Sequence, residues 1–384
     1  MSGERVHRLR HAVVVAAPAR VVYALLADAT RRPLYSPAVV HVERMNEDDG
    51  GRERLRVWER ADGRVHSSLW ARVRHPGALR VEFRRLRGEA PVTSLAGRWS
   101  VTDTGDGRCV VALHTEFTVA GDRARDVAAT AESAEVDFGA VMGCVRRMAE
   151  DRAGPEHLVL TFRESVRVDG PGEIVYDFLY RAGDWAGVVP HVLRSGLDEP
   201  SPGIQLVDHA VAGADGTPRA VGCLRLCFPH AGRIVYKTGT PRAPVAAHLG
   251  EWSVLPDERG VLVVADHTVL LDPCALPARR AGSGDAGVPA RPAGAGFADA
   301  GGSGAPARAG RGSGTAPATV SGGLGAAGAG PGPADVRALV REAIGRESLA
   351  TLDRARRHAE SAVHVLPLGR RGGRASGSPA VPSG

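Results

Sequence analysis

The chain has 384 residues, of which 43% are hydrophobic, and it carries a formal net charge of +6. Its 49 basic residues are interspersed with 43 acidic ones and form no basic block or aromatic-interleaved stripe, which excludes a typical nucleic-acid-binding surface and favours mild attraction of an acidic partner. Five cysteines without a CxxC pair exclude a disulfide framework and a zinc site, and no apolar segment is long enough to span a bilayer. We therefore predict a cytoplasmic protein without metal or cofactor, and without nucleic-acid or membrane partners.

The first predicted elements are a strand and a helix. The strand "RHAVVVAA" is followed by Pro18, which suits the first turn of a helix, and "VVYALLA" has the apolar spacing of a helix. Charges followed by an apolar run are also typical of a signal peptide. The same pattern returns in mid-chain as "FRESVRV", Pro171 and "IVYDFLY", so we interpret the first segment as part of the fold.

This return belongs to a repeat with a constant offset of 153 residues, as from Pro18 to Pro171. At the same offset "AGRWSV" matches "LGEWSV", and His114 matches His267. A chance match would not keep its offset along the chain, whereas a duplicated domain would. The sequence therefore predicts two copies of one domain, the first over 1–153.

Each copy continues with about six short stretches of strand character separated by turn signals such as "ADG" and "TGDG". An antiparallel meander is the simplest interpretation. A helical segment from about Arg123 to Arg152 then closes the first copy, because its apolar residues keep helical spacing.

The second copy is interrupted after its last predicted strand. Residues 274–333 consist mainly of Ala, Gly, Pro and Ser with scattered Arg, a composition that buries too little apolar surface to order the chain. We predict a disordered insertion there, between the sheet of the second copy over 154–273 and its closing helix over 334–366. A disordered tail over 367–384 is predicted to follow.

Strand, helix, strands and a long closing helix is the order of the helix-grip fold. The predicted class is therefore α+β, a tandem duplication in which each curved antiparallel sheet wraps a long C-terminal helix around an internal cavity. Such a cavity suits a small apolar molecule held by a few polar anchors.

One strand of each copy carries the main candidates for chemistry. Side chains alternate faces along a strand, so His66, Ser68, Trp70 and Arg72 share one face, which suits a polar pocket or a wet surface. Arg225 keeps the register of Arg72 in the second copy. If the two arginines point inward, each is a fixed donor fork for a carbonyl or enolate oxygen; the alternative is that both face water.

Further candidates for the cavity wall are aromatic residues and histidines. The aromatic set is Tyr35, Trp58, Trp70, Trp99 and Trp252. Core packing is the alternative for the tryptophans, and an ordinary surface position is the alternative for Tyr35. His114 and His267 are either proton carriers or hydrogen-bonded core histidines. The sequence has no paired-carboxylate signature, nucleotide fingerprint or metal spacing, so the chemistry must rely on shape and a few polar contacts.

Several strings resemble the didomain aromatase/cyclases of bacterial type II polyketide synthases, which have the START/Bet v1-like helix-grip fold. They run through both copies: "VVYALLADATRRPLYSPAVVHVER", "SSLWARVRHPGALRVEFRR", "RLCFPHAGRIVYK", "AAHLGEWSV" and "ESLATLDRARRHAES". The resemblance covers nearly all of the chain except the insertion.

The resemblance implies a substrate, partners and residue roles. The substrate would be a poly-β-ketone reduced at carbon nine, tethered to an acyl carrier protein through phosphopantetheine, alongside other synthase components. The protein would join carbons seven and twelve and dehydrate the first ring. Arg72 would contact substrate oxygen and Trp99 would form a wall, whereas His66, Ser68 and Trp70 depart from single-domain relatives.

These roles make the first copy the expected main chamber. Arg72 would hold the developing oxyanion, and His66, or a water held by Ser68, would move protons. Arg225 would serve a second chamber, ranked below the first because its strand carries fewer polar groups. The rival functions are a noncatalytic carrier of a hydrophobic metabolite and a scaffold for synthase components.

Overall fold

A computed structural model describes residues 4–61, 63–87, 90–151, 154–213, 216–239, 241–276 and 332–365. In these ranges the chain forms two seven-stranded antiparallel sheets. The strands of the first are β1 (His7–Val15), β2 (Val39–Glu47), β3 (Arg52–Ala61), β4 (Arg64–His75), β5 (Arg80–Arg87), β6 (Val92–Asp103) and β7 (Cys109–Val119). The strands of the second are β8 (Val159–Val168), β9 (Val192–Ser201), β10 (Ile204–Ala212), β11 (Pro218–Phe228), β12 (Arg233–Thr238), β13 (Val245–Asp257) and β14 (Gly260–Leu271).

The two sheets have equivalent strand orders, β1-β7-β6-β5-β4-β3-β2 and β8-β14-β13-β12-β11-β10-β9. The helices are α1 (Ala19–Ala27), α2 (Arg32–Tyr35), α3 (Ala124–Ala149), α4 (Gly172–Tyr180) and α5 (Pro333–Val365). α3 and α5 are the closing helices of the first and second copy. This architecture agrees with the predicted helix-grip fold.

Alternating side chains determine which face of each sheet is buried. Along β1 every second residue from His7 to Val15 is shielded, while the intervening residues, including Arg8 and Arg10, are exposed. The shielded face packs against the closing helix, where the ring of Phe138 stacks on His11 and Trp99. The inner face of the sheet and the closing helix thus enclose the interior of the copy.

The repeated Gly-x-Trp of β6 and β13 has a packing explanation. A Cβ atom on Gly97 would lie 2.6 Å from the ring of Phe83, and one on Gly250 would lie 2.1 Å from the ring of Tyr236. In both copies an aromatic ring on the neighbouring strand therefore lies over the glycine, and any side chain there would displace the ring.

The last hairpin differs between the copies by one residue. The segment from Trp252 to its cross-strand partner Ala265 is one residue shorter than the segment from Trp99 to its partner Leu113. Because a one-residue slip moves a side chain to the opposite face of a sheet, His114 faces outward between Arg10 and Arg98, whereas His267 faces inward and is 2% exposed.

The two copies pack against each other through the outer faces of their sheets. Trp58 meets the ring of Phe228 edge-on, with centroids 5.5 Å apart, in a cluster that also contains Leu224 and Leu226. Lys237 reaches across from β12 and donates to the carbonyl oxygens of Ser36, Pro37 and Val39 at 2.8, 3.3 and 2.7 Å. The junction is thus apolar at its centre and hydrogen-bonded at its edge.

Most of the predicted insertion over 274–333 and the predicted tail over 367–384 lie outside the described residues. Residues 273–275 form a short helical turn directly after β14. Among the described residues, no helix is both long enough and apolar enough to cross a membrane.

Candidate functional site

A cavity of about 670 Å³ lies in the second copy between the inner face of its sheet and α5. Its wall combines apolar and aromatic side chains with a small polar set. The polar and aromatic members are Trp185, His191, His209, Arg219, Cys223, Arg225, Tyr236, Thr238, Arg242, His248, Trp252, His267, Glu347, Ser348 and Thr351. Concave sites with a few convergent polar groups are typical of small-molecule binding sites.

Arg225 is the most unusual member of this wall. It is 1% exposed, and its Nη2 donates to the carbonyl oxygen of Leu179. Its Nε and Nη1 are buried with no hydrogen-bond partner among the described residues. The guanidinium carbon lies 5.7 and 5.4 Å from the ring centroids of Trp185 and Trp252. Burial lowers the pKa of Arg225, but a guanidinium keeps its charge, so two charged donors at the cavity wall lack an acceptor among the described residues.

The cross-strand neighbour of Arg225 explains why no carboxylate among the described residues pairs with it. Gln205 lies opposite Arg225 on β10. Its amide nitrogen donates to Glu199 at 3.0 Å, and its amide oxygen lies 3.6 Å from the sulfur of Cys227. Glu199 also accepts from the Tyr180 hydroxyl and from the Gly203 amide. The nearby carboxylate is therefore occupied by other donors.

A hydrogen-bonded chain of polar groups lies beside Arg225. His267 Nε2 is 3.0 Å from Ser348 Oγ, and His267 Nδ1 is 3.3 Å from the Tyr236 hydroxyl and 3.2 Å from His248 Nε2. His248 Nδ1 continues the chain to Thr238 Oγ1 at 3.4 Å. Burial lowers the pKa of His248 to about 3 and that of His267 to about 4. Both rings are therefore neutral at pH 7, each with one donor and one acceptor nitrogen.

Glu347 is the carboxylate in the cavity wall. It lies on α5, and Arg219 of β11 donates to it across the cavity. Burial raises the pKa of Glu347, and the charge of Arg219 opposes that rise. A buried carboxylate with a raised pKa can both accept and return a proton. The cavity thus holds an anion-binding donor pair, neutral imidazoles and one acid/base group.

The equivalent positions of the first copy are largely apolar. Phe83 and Leu95 occupy the places of Tyr236 and His248, and Thr115 lies opposite Gly97 as His267 lies opposite Gly250. Trp70 stands where the second copy has the smaller Cys223. Trp70 is buried and its ring lies 5.9 Å from that of Phe83, so side chains fill this part of the first interior.

Arg72 faces inward, as one of the two alternatives predicted, but its donors are occupied. Its Nη1 donates to Glu53 at 2.7 Å, and its Nη2 donates to the carbonyl oxygens of Leu26 and Ala27 at 3.1 and 3.3 Å. Glu53 is fully buried and also accepts from Arg44 at 3.0 Å. Burial lowers the pKa of Arg72, with Glu53 opposing the change. The arginine therefore stabilises the end of α1.

The other predicted residues of β4 line neither of the two cavities described here. Ser68 is buried and accepts from the indole nitrogen of Trp70 at 2.8 Å. His66 lies further along the same face and is half-buried. These positions lie outside the walls of the two cavities described here, so their predicted roles in proton transfer stay predictions.

The remaining predicted residues of the first copy are dispersed. The Tyr35 hydroxyl donates to the carbonyl oxygen of Leu25 at 2.8 Å inside the core, where burial raises its pKa to about 12. Trp99 stacks on Phe138, with ring centroids 5.9 Å apart, and Trp58 lies in the junction between the copies. His114 lines a second cavity of about 520 Å³ on the outer face of the first sheet. Arg225, Trp252 and His267 are thus the predicted residues that meet in one cavity.

Sequence reasoning missed several residues of this cavity. Glu347 and Ser348 follow the long insertion, and nothing in the sequence links α5 to a particular strand. His248 and Tyr236 are alternate residues on their strands, and their inward direction follows once Trp252 is known to face the cavity. Among the described residues, no group of three or more His, Cys, Asp or Glu side chains is placed to hold a metal ion.

Comparisons with known proteins agree with this architecture. A family model described as "Polyketide cyclase / dehydrase and lipid transport" matches residues 6–143. The granaticin polyketide synthase bifunctional cyclase/dehydratase of Streptomyces violaceoruber is 33% identical over 272 residues, 71% of this chain and 83% of the relative. The actinorhodin polyketide synthase bifunctional cyclase/dehydratase of Streptomyces coelicolor is 33% identical over 283 residues, 71% of this chain and 86% of the relative.

Two crystal structures of di-domain proteins have similar folds. The di-domain ARO/CYC BexL from the BE-7585A biosynthetic pathway is 28% identical, with a TM-score of 0.68 over 92% of this chain and 99% of its own. The di-domain ARO/CYC StfQ from the steffimycin biosynthetic pathway is 24% identical, with a TM-score of 0.69 over 93% of this chain and 100% of its own. The second likeness concerns the fold alone.

Proposed function

The chain belongs to the family of polyketide synthase bifunctional cyclase/dehydratases, and we propose that the cavity of its second copy closes and dehydrates the first ring of a poly-β-ketone. The substrate is delivered on the phosphopantetheine arm of an acyl carrier protein, within a type II polyketide synthase. Ring closure joins carbons seven and twelve of a chain already reduced at carbon nine. No metal or cofactor takes part in these steps.

The cavity supports this proposal because a poly-β-ketone has many reactive positions. Methylenes flanked by two carbonyls are acidic without help, so the difficult part is selecting one folded conformation. A confined space of about 670 Å³ with aromatic walls at Trp185 and Trp252 restricts the chain to few conformations. Proximity of the reacting carbons then replaces a search among many possible ring closures.

Arg225 carries the proposal through its two unpartnered, buried donors. In the aldol step an enolate carbon forms a bond to a carbonyl carbon, and the electron pair of the carbonyl π bond moves to oxygen. The oxyanion that develops is stabilised by Nε–H and Nη1–H of Arg225. This attraction is stronger in the transition state than in the ground state, and it is large where water is excluded.

Glu347 and His267 move the protons. The Glu347 carboxylate takes a proton from a methylene carbon to form the enolate. The protonated Glu347 then gives this proton to the alkoxide formed at ring closure. In each dehydration the carboxylate again takes a proton from carbon and its acid form gives one to the departing hydroxyl, so one group serves as base and then as acid. His267 donates protons to substrate oxygens or accepts protons from them. Its hydrogen bonds to Ser348 and His248 relay these protons.

Aromatisation follows from where the reduced carbon lies. A ring closed between carbons seven and twelve contains carbon nine, so its hydroxyl lies within the ring. Loss of the hydroxyl formed at closure and of the hydroxyl at carbon nine releases two molecules of water, and enolisation of the remaining ring ketone completes the aromatic ring. Each loss removes one proton from carbon and gives one proton to the leaving oxygen.

Reconstitution of a minimal polyketide synthase with its ketoreductase, with and without this protein, tests the proposal. We expect the product mixture, read by mass spectrometry and NMR, to change from shunt products to one aromatic first-ring product. Arg225→Ala, folded as judged by circular dichroism, is expected to restore the shunt products. An unchanged mixture with an active synthase contradicts the proposal; it favours a carrier if the protein binds the polyketide and a scaffold if it does not.

The first copy is the rival chamber in the same assay. In that chamber Arg72 is expected to hold the oxyanion, and His66 or a water held by Ser68 is expected to move protons. An Arg72→Ala protein tests the role of Arg72. If Arg72→Ala alone abolished the first-ring product without unfolding the chain, the chemistry would belong to the first copy.

A further inference from the structure

The outer face of the first sheet carries a row of basic residues. Arg10, His114 and Arg98 lie directly opposite one another on β1, β7 and β6. Arg10 and Arg98 are exposed, and neither has an ion-pair partner among the described residues. Besides desolvation, the charges of Arg98 and Arg10 lower the pKa of His114. Glu82 of β5 lies opposite Arg98 but pairs with Arg80 at 3.2 Å, so Arg10 and Arg98 leave two unpaired positive charges on this surface.

The second copy neutralises the same row. Arg163, Asp266 and Glu251 lie opposite one another on β8, β14 and β13. Arg163 donates to both carboxylate oxygens of Asp266, at 2.7 and 3.0 Å, and Glu251 accepts from Arg233 at 2.8 and 2.9 Å. Because the two sheets share one fold and pair these three positions in the same way, the contrast arises from side chains alone. The fold itself does not require an unpaired basic row.

A groove accompanies the basic row in the first copy. This is the cavity of about 520 Å³ already described, and Arg98 and His114 form part of its wall. The remaining wall residues are Ala71, Val73, Glu82, Phe83, Arg84, Ala96, Gly97 and Glu116. Arg84 is exposed and also lacks an ion-pair partner within the described ranges. The surface therefore combines free positive charge with a concave, partly apolar floor.

We propose that this basic groove, formed by Arg10, Arg84, Arg98 and His114, docks a protein that presents carboxylates. Charge complementarity favours an acidic partner and speeds its association. Two carboxylates in the groove, Glu82 and Glu116, would repel the continuous phosphates of a nucleic acid, whereas a protein surface can place its own basic groups beside them. A second copy of this chain is disfavoured by its net charge of +6.

The acyl carrier protein of the reconstituted synthase is the probe, and its choice rests on the function proposed above. Its affinity is measured by isothermal titration calorimetry with the apo form, which lacks the phosphopantetheine arm. The test variant is Arg10→Glu/Arg98→Glu. The matched control is Arg163→Glu/Arg167→Glu, which makes the same change in net charge at exposed, paired arginines of the second sheet.

At low ionic strength we expect the test variant to weaken apo-carrier binding at least about tenfold, while the control stays within about twofold of the unmodified chain. The difference should shrink as salt is raised towards about 1 M, where the screening length falls to about 3 Å. Equal affinities for the two variants, or no binding of the apo carrier to the unmodified chain, would overturn the docking proposal. Binding of the holo form alone would do so too, because it assigns recognition to the arm.

The cyclisation assay separates this inference from the function on which it rests. The test variant at saturating carrier concentration should still yield the first-ring product, because the groove is not in the second cavity. A first-ring product from the unmodified chain together with unaltered carrier affinity in the variant overturns the docking surface and leaves the function standing. Absence of that product from the unmodified chain contradicts the function instead.

Discussion

The two copies place the same arginine at the same register and use it differently. Arg72 lies opposite Glu53, and Arg225 lies opposite Gln205. The carboxylate of Glu53 neutralises Arg72 and holds it against the end of α1, whereas opposite the amide of Gln205 two donors of Arg225 have no partner within the described part of the chain. One cross-strand neighbour thus distinguishes an arginine that stabilises the fold from one available to a ligand.

The difference extends to the surrounding interior. The second copy surrounds Arg225 with His248, His267 and Glu347, while the first copy fills the corresponding space with Trp70 and Phe83. A duplication therefore allows one domain to keep the packing and the other to keep a cavity. Four changes test this comparison.

Among the substitutions, removing the counter-ion in the first copy should have the largest effect on stability. Glu53→Ala leaves Arg72 buried without its partner, and breaking a buried pair costs about 3–5 kcal/mol. Gln205→Ala removes a hydrogen bond to the carboxylate of Glu199 but leaves no charge without its partner, and it should cost less, about 1.5–3 kcal/mol. Denaturant unfolding of both variants measures the difference, and equal losses would show that Arg72 does not depend on Glu53.

Acid should destabilise the second copy before the first. The folded pKa values of His248 and His267 are about 3 and 4, below the value of about 6.5 for an unfolded histidine. The unfolded chain then binds more protons, so stability is complete above pH 6.5 and falls as pH drops towards 4, by on the order of 3 kcal/mol per histidine.

Hydrogen exchange resolved by peptide can detect this loss. Between pH 6.5 and 4, strands β13 and β14 should lose protection while β6 and β7 keep theirs, and His248→Gln should reduce the loss. Parallel loss in both copies, or no effect of His248→Gln, would argue against buried neutral histidines in the second copy.

A carboxylate opposite Arg225, like the one opposite Arg72 in the first copy, should strongly reduce the activity of the second copy. Gln205→Glu places a carboxylate opposite Arg225, where it competes with a substrate oxyanion for the free donors. We expect a loss of first-ring product formation of about 10- to 100-fold without unfolding. Glu53→Gln in the first copy is the matched control and should leave product formation within about twofold of the unmodified chain.

The two histidines that share a sequence offset should behave differently. His267→Ala removes a member of the hydrogen-bonded chain in the cavity, and we expect product formation to fall about tenfold or more. His114→Ala changes only the outer face and, at saturating carrier concentration, should leave the product pattern unaltered. Similar losses in both variants would contradict the register assigned to the last hairpin.

Much of the fold could be predicted from the sequence because a constant repeat offset carries information about both copies at once. The closing helices α3 and α5 lie within a few residues of their predicted bounds. The constant offset pairs His114 with His267, but the two side chains lie on opposite faces of their sheets because the last hairpin of the second copy is one residue shorter. A one-residue change in a hairpin moves every following side chain to the other face, and an offset that stays constant in the sequence does not reveal such a change.

Less of the candidate site than of the fold could be predicted from the sequence. Arg225, Trp252 and His267 could be singled out because the repeat drew attention to them. Glu53 neutralises Arg72 because β3 pairs with β4 in a particular register. Glu347 reaches the cavity because α5 packs across it. Trp58 shows the same limit, since its burial comes from contact with the other copy. Pairwise contacts between distant segments had to come from the structure.

The most direct test of the central claim is the fraction of first-ring product formed in the reconstituted synthase by Arg225→Met and by Arg72→Met. Methionine keeps an unbranched side chain of similar reach and removes the donors. We expect Arg225→Met to yield the shunt mixture that forms without the protein. We expect the folded fraction of Arg72→Met to yield the first-ring product at the rate of the unmodified chain. The opposite pattern would contradict the central claim.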